Sequence, residues 1–366
     1  MAQNARRKCG NFIKLNYIPK ICPTPYRIMK LQNTKGVVFM ATNIYEILEN
    51  EISASELSDS EKNRRLAKLL KARGQKINIM LVGATGSGKS STINSLFNTS
   101  VAKVGIGVDP ETEDISCYEL ENLIIWDSPG LGDTNANDAN YSSQILKKLS
   151  ETDENGVPVV DLVLVVIDSS TKDLRTTCEL INDILLPALT KENAGRILVA
   201  LNQADMAMKG NHWIKEENCP DDTLKAFLEE KCDSVAKRIF EETGIEFNTM
   251  YYCAGYTDEN GNQMPAYNLT KLLYNIVLSI PAEKRIAIAE NLNDNEEMWE
   301  YDDGDEDYIS GISESFGEIF WDTVGEFAEK GVVYGGAILG MPGALVGSVI
   351  GGVAGAISGV FKGLFS

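Results

Sequence analysis

The sequence predicts an α/β fold: a mostly parallel β-sheet covered by helices on both faces, with a glycine-rich helical tail behind it. Three observations lead there. Near-continuous apolar runs, INIMLV (77–82), LIIWD (123–127), DLVLVVID (161–168), RILVALN (196–202) and TMYYCAG (249–255), read as strands buried on both faces. Stretches of helical periodicity lie between and after them, at 89–98, 138–150, 173–190, 221–243 and 268–280. That alternation is the pattern of a parallel sheet with crossover helices. A glycine-rich pattern, GATGSGKS (83–90), joins the first run to the first of these helices.

Taken in order, the chain of 366 residues divides into a basic leader (1–39), a helical N-terminal segment (40–75), the α/β domain (76–285), an acidic linker (286–307) and a tail (308–366). The leader holds eight Lys or Arg and no Asp or Glu, whereas the whole chain carries a net charge of −19. Three readings of it stand side by side. It has the charge of an organelle presequence, although Pro19, Pro23 and Pro25 interrupt an amphipathic helix. It has the charge of an arm for RNA or lipid. Or translation starts at Met40: Lys35-Gly36-Val37 can be encoded by AAAGGAGT, the look of a bacterial ribosome-binding site. In the next segment Ser58 and Glu61 have capping-box spacing ahead of Leu66, Leu69 and Leu70. The acidic run NLNDNEEMWEYDDGDED (291–307) reads as a solvated, mobile linker; it lacks the EF-hand spacing that calcium would require.

Composition excludes several function classes. The acidic balance opposes nucleic acid and anionic lipid on the bulk surface. Seven cysteines without a CxxC pair suit free thiols in a reducing, cytoplasmic compartment. A single histidine, His212, leaves no material for a His-centred triad outside one site. His212 and Trp213 read as a surface loop, or as a cover for a bound base. Cys253 reads as a small strand-end residue rather than a redox switch.

The glycine-rich loop carries the chemistry. GATGSGKS satisfies G-x-x-x-x-G-K-[ST] between a strand and a helix, which makes this a P-loop. Gly83, Gly86 and Gly88 let the backbone aim N–H groups at phosphate oxygens. Lys89 reaches the outer phosphates, and the Ser90 hydroxyl is placed to ligate Mg²⁺. Three later stretches name the nucleotide. WDSPG (126–130) puts Asp127 where it can hold a Mg²⁺-bound water and the Gly130 amide where it can meet a γ-phosphate. NQAD (202–205) offers the Asp205 carboxylate to the two N–H groups on the guanine edge, while Asn202 ties that loop to the cradle. CAG (253–255) brings the Ala254 amide within reach of the guanine oxygen. All of them end strands, where open α/β sheets bind ligands.

On these residues the chain resembles the translation-factor-like GTPases. Among them it is similar to bacterial Era-like proteins of the "50S ribosome-binding GTPase" family, with a GATGSGKSS loop also similar to that of septin-type GTPases. The resemblance spans about 76–285 and includes YNLTKLLYNIVLSIPAEKR (267–285). It implies GTP, GDP and Mg²⁺, with Gly83, Ala84, Thr85, Gly86, Ser87, Gly88, Lys89, Ser90 and Ser91 on the phosphates. It implies a switch threonine, for which Thr112 in VDPETED is the match, so that Lys89, Thr112 and Gly130 form the catalytic set and Ser90, Thr112 and Asp127 the metal set. Asn202, Gln203, Asp205 and Ala254 would read the base. Two departures stand out. Gln203 replaces the lysine of the usual N-K-x-D loop. Leu131 follows Gly130, where Ras-like enzymes carry a water-orienting glutamine, so slow hydrolysis is expected unless Asp133, Thr134, a partner or a second copy supplies that group.

The tail remains. Glycine recurs at 343, 347, 351, 355, 359 and 363, and no charge interrupts 331–361. Residues 343–361 would make a helix of about 28 Å, near the thickness of a bilayer core. Three readings are open: membrane insertion or self-association through a glycine zipper, packing against the amphipathic helix around Ile309–Phe327, or disorder. The function expected is a GTP-hydrolysing switch with a membrane-inserting or self-associating tail and homodimerisation through either part. The alternatives are a pore-forming effector gated by GTP, and a ribosome or RNA assembly factor, the latter on family resemblance alone.

Overall fold

The structure, a computed structural model, describes residues 57–99, 103–106, 115–128, 135–172, 174–189, 191–257, 263–289, 291–293 and 295–312, with residues 49, 52, 53 and 315. The basic leader, Met40 and the glycine-rich tail lie outside the described residues, as do Thr112, Gly130, Leu131, Asp133 and Thr134.

Helix α1 (Asp59–Arg73) begins as its capping pattern predicts: the Ser58 hydroxyl accepts the Glu61 amide at 3.3 Å. Seven strands form the central sheet: β1 (Ile77–Val82), β2 (Lys103–Ile106), β3 (Ser116–Glu119), β4 (Leu123–Asp127), β5 (Leu162–Asp168), β6 (Ile197–Asn202) and β9 (Thr249–Tyr251), in the order β2-β3-β4-β1-β5-β6-β9. From β4 to β9 every pairing is parallel, and only the β2-β3-β4 edge is antiparallel. The predicted α/β class with a mostly parallel sheet is thus observed.

The strands' alternating side chains split the core in two. Ile77, Ile79 and Leu81 face α2 (Lys89–Leu96), α7 (Leu269–Ser279) and α8 (Arg285–Ala289), whose Ile93, Leu272, Ile276 and Ile288 are fully buried. Met80 and Val82 face the other layer, α3 (Asn135–Leu149) and α6 (Asp222–Thr243), through Ile145, Leu228 and Val235. The helix expected over 173–190 is divided: α4 (Arg175–Glu179), a π-helical turn (Leu180–Leu185) and α5 (Leu186–Leu189). The Leu186 amide reaches back to Ile181 O, and the next residue, Pro187, has no N–H with which to continue an α-helical ladder.

Two small hairpins complete the base end of the sheet: β7–β8 (Trp213–Ile214, Cys219–Pro220) after β6, and β10–β11 (Tyr256–Thr257, Gln263–Met264) after β9.

The acidic linker differs from its expected solvated state. Residues 291–312 form a strap held to the domain. Asn293 bonds α2 at Leu96 O, Met298 and Trp299 are buried, and Asp303 is almost fully enclosed beside α7. The apolar residues interspersed with its acids, Leu292, Met298, Trp299 and Tyr308, supply the core contacts that composition alone hides. Helical residues 308–312 continue it, with Gly311 so close to the Tyr274 ring that a Cβ there would lie 2.5 Å from it. Among the described residues no helix is long and apolar enough to cross a membrane.

Candidate functional site

The phosphate loop follows directly from β1. Gly83 approaches β5 so closely that a Cβ would meet Val166 O at 2.2 Å, and Gly88 has φ +87° with its missing Cβ 2.2 Å from the Asn202 amide nitrogen. Lys89 is buried, and its ammonium donates to Gly83 O and Ala84 O at 3.2 Å each, so the cation sits inside the ring of the loop. Ser87 is buried, while Thr85, Gly86, Ser90 and Ser91 are open to solvent. The loop therefore joins one buried lysine to the N-terminus of α2, an arrangement that suits a chain of phosphates.

Beside it stands Asp127, at the C-terminal end of β4 and opposite Leu81 in register. Ser90 Oγ donates to Asp127 Oδ2 at 2.6 Å. The other oxygen, Oδ1, is buried with no hydrogen-bond partner among the described residues. Burial pushes this carboxyl above its ordinary value, against the opposing pull of the Ser90 hydrogen bond and the Lys89 charge. An orphaned carboxylate oxygen next to a serine hydroxyl is a hard, oxygen-only donor set. It fits Mg²⁺, which keeps its waters and takes one or two carboxylates with phosphate oxygens. Among the described residues no group of three or more His, Cys, Asp or Glu gathers, so an all-protein metal cage is not built there.

The base end is knitted by Asn202. Its Nδ2 donates to Ser87 O at 3.0 Å and its Oδ1 accepts the Ala254 amide at 3.0 Å, joining the phosphate loop to the end of the last strand. Asn202 thereby links the NQAD loop to the glycine-rich loop. The Ala254 amide, expected to point at a purine oxygen, is instead committed to Asn202, because a buried N–H takes the nearest acceptor. Gln203, with φ +60°, donates from Nε2 to Gly86 O at 2.7 Å; the amide stretches over the phosphate loop in place of a lysine. Asp205 lies in the first turn of a short 3₁₀ segment (Ala204–Gly210), and its Oδ1 accepts the Cys253 thiol at 3.0 Å. Burial, followed by the Asp205 charge and hydrogen bond, raises the Cys253 thiol far above the normal range, so it stays a protonated donor.

His212 and Trp213 each have a protein partner. His212 pairs with Asp221 at 2.7 Å, and the Trp213 ring meets Tyr267 edge-on at 5.4 Å. Sequence reasoning missed the internal struts of the site. Thr92 and Tyr252 share a hydrogen bond of 2.7 Å, and Ser95 Oγ donates to Ala254 O. The spacing Thr92–Ser95, one helical turn on the face toward β9, was the available signal. Thus Lys89, Ser90 and Asp127 are gathered at one end, and Asn202, Gln203, Asp205 and Ala254 at the other.

Residues 78–203 match the family described as 50S ribosome-binding GTPase. Among solved structures, Toc33 from Arabidopsis thaliana, in complex with GDP and Mg²⁺, is 18% identical, with 58% of this chain and 90% of that chain covered and a TM-score of 0.37. A GTP-binding protein from the archaeon Sulfolobus solfataricus in complex with GDP is 21% identical over 64% of each chain, with a TM-score of 0.33. The G domain of the T. maritima FeoB iron transporter is 19% identical, covering 56% of this chain and 99% of its own, with a TM-score of 0.31. Over residues 78–203, about a third of its length, the chain is thus similar to the P-loop GTPase domains described as 50S ribosome-binding GTPase.

Proposed function

We propose that the chain is a GTP-binding, GTP-hydrolysing switch with slow basal turnover, whose C-terminal segment self-associates or enters a membrane. The observation that carries the nucleotide reading is the pair of hydrogen bonds made by Asn202, donated to Ser87 O and accepted from the Ala254 amide, which links phosphate loop and base loop with Asp205 beside them. In this reading Gly83 to Ser91 hold the phosphates and Lys89 bridges the outer two. Ser90 and Thr112 would ligate Mg²⁺, with Asp127 accepting from one of its waters through Oδ1, which has no partner among the described residues. When bound, Mg²⁺ neutralises charge on the phosphate oxygens. The Asp205 carboxylate accepts from the guanine edge, which adenine cannot match. Ala254 reaches the base only if nucleotide draws its amide from Asn202.

Slow turnover follows from Leu131. An apolar side chain after Gly130 cannot orient water, so the missing polar group comes from Asp133, Thr134, a partner or a second copy. The test is hydrolysis of GTP across a range of protein concentrations. The proposal expects a low rate in dilute protein that rises with concentration or with a partner, and no turnover in Lys89→Ala. A fast rate independent of concentration, or an undiminished Lys89→Ala, overturns it.

A further inference from the structure

The acidic strap is joined to β9, the strand that leads to Cys253 and Ala254, through the buried residue Asn268. Asn268 is fully buried at φ +57°, between Tyr267 and the start of α7. Its side chain is shared between strap and sheet. Nδ2 donates to Tyr251 O on β9 and to Asp303 Oδ2, both at 3.2 Å, and Oδ1 accepts the Asp303 amide at 2.8 Å. Its own amide donates to Tyr301 O at 2.9 Å.

Asp303 is the hub of this clasp. Its side chain is 1% exposed and receives Lys271 Nζ at 2.7 Å, the Tyr308 hydroxyl at 2.9 Å and the Asp305 amide at 3.2 Å. Burial works against its charge, but Lys271 and the surrounding donors hold it below the ordinary carboxylate value. Next to Asn268, Tyr267 exchanges both backbone hydrogen bonds with Cys253, at 3.0 and 2.9 Å. Cys253 in turn donates to Asp205 Oδ1 and precedes Ala254.

We propose that Asp303 is a positioning residue for base recognition: it locks Asn268 and, through the Tyr267–Cys253 pair, fixes the Cys253 thiol and Ala254 against Asp205. Base selectivity thus depends on a residue outside the domain's own motifs, about a hundred positions from Asp205 in the chain. The inference rests on Asp205 being the group that reads guanine. A strap that served stability alone would not produce that dependence, and a buried clasp remote from the base loop serves as the control. One such clasp is Asp161, which receives Lys284 and the Asn78 amide at the opposite end of β1 and β5.

The experiment compares the affinities of GDP and IDP, which lacks the guanine 2-amino group, for the full chain with Mg²⁺, alongside thermal melting. In Asp303→Asn the GDP affinity should fall up to about tenfold, as for a lost hydrogen-bond contact, and the GDP:IDP ratio should narrow by about threefold or more. Asp161→Asn should lower the melting temperature without moving the ratio. Tyr308→Phe, a milder change that removes one donor to Asp303, should narrow the ratio in the same direction, and decides the matter if Asp303→Asn does not fold. A wild-type preference for GDP that Asp303→Asn, or failing that Tyr308→Phe, retains unchanged overturns this inference alone. A wild type with no preference overturns the reading of Asp205 and this inference with it.

Discussion

The Asp127 carboxylate shows how one side chain can encode both an affinity and its pH dependence. Burial raises its pKa, and Oδ1 stands without a partner among the described residues. A carboxyl whose folded pKa is raised costs the fold stability when ionised, above that pKa, and nothing below the unfolded value. Mg²⁺ needs the ionised form and removes that cost. Mg²⁺-dependent GDP affinity is therefore expected to decline on acidification at a higher pH than an unperturbed aspartate would set. Titrating Mg²⁺ at fixed GDP across pH checks it, and a decline only at the ordinary aspartate pKa contradicts it. A second residue-level outcome concerns Gly88. A methyl there meets Asn202 Nδ2 at 2.2 Å on a backbone at φ +87°. Gly88→Ala should displace Asn202 and cost about 1–3 kcal/mol of nucleotide binding, as strain plus a broken buried hydrogen bond, measured by calorimetry.

Strands and helices show how much sequence makes legible. The buried strands were readable because residues such as Val163, Val165 and Ile167 are apolar on both faces, a pattern that only a covered sheet tolerates. Asp127 and Asn202 stand at the ends of β4 and β6, where their place after apolar runs predicts them. The π-turn before Pro187 was not readable, since one extra residue per turn leaves the apolar spacing nearly unchanged. The strap was misread for a different reason. Its acids are neutralised by partners far away in sequence, Lys225 for Asp305 and Lys271 for Asp303, which charge counting cannot pair. The antiparallel edge strands β2 and β3 are short and were also missed. At this level the Asp161–Lys284 pair predicts a measurable cost. It fastens the turn before α8 to the start of β5 at 2.7 Å, with Asp161 buried and Lys284 one-fifth exposed. Asp161→Ala should destabilise the fold by about 3 kcal/mol in denaturant unfolding, because it strands a partly buried ammonium and the Asn78 amide.

The chain joins an acidic α/β domain to a charge-free glycine-rich segment through the strap. The strap begins on α2, the helix that carries Lys89 and Ser90, crosses to α7 beside the base loop, and leads toward that segment. If residues 343–361 pair through their glycine ridge, Gly351→Leu with Gly355→Leu raises hydrophobicity while blocking close approach. Such a variant should still float with liposomes but lose self-association and any concentration-dependent GTPase rise. Unchanged assembly would leave the glycine period without that role.

Everything proposed for the site depends on guanine being the base that Asp205 reads. Calorimetric titration of the full chain with GDP and ADP in Mg²⁺, repeated with Asp205→Asn, measures this. Wild type should bind GDP at least about a hundredfold more tightly than ADP, since a site built on hydrogen bonds rejects a ligand that leaves them unpaired. Asp205→Asn should lose most of that margin. Equal affinities of the wild type for GDP and ADP would contradict the account.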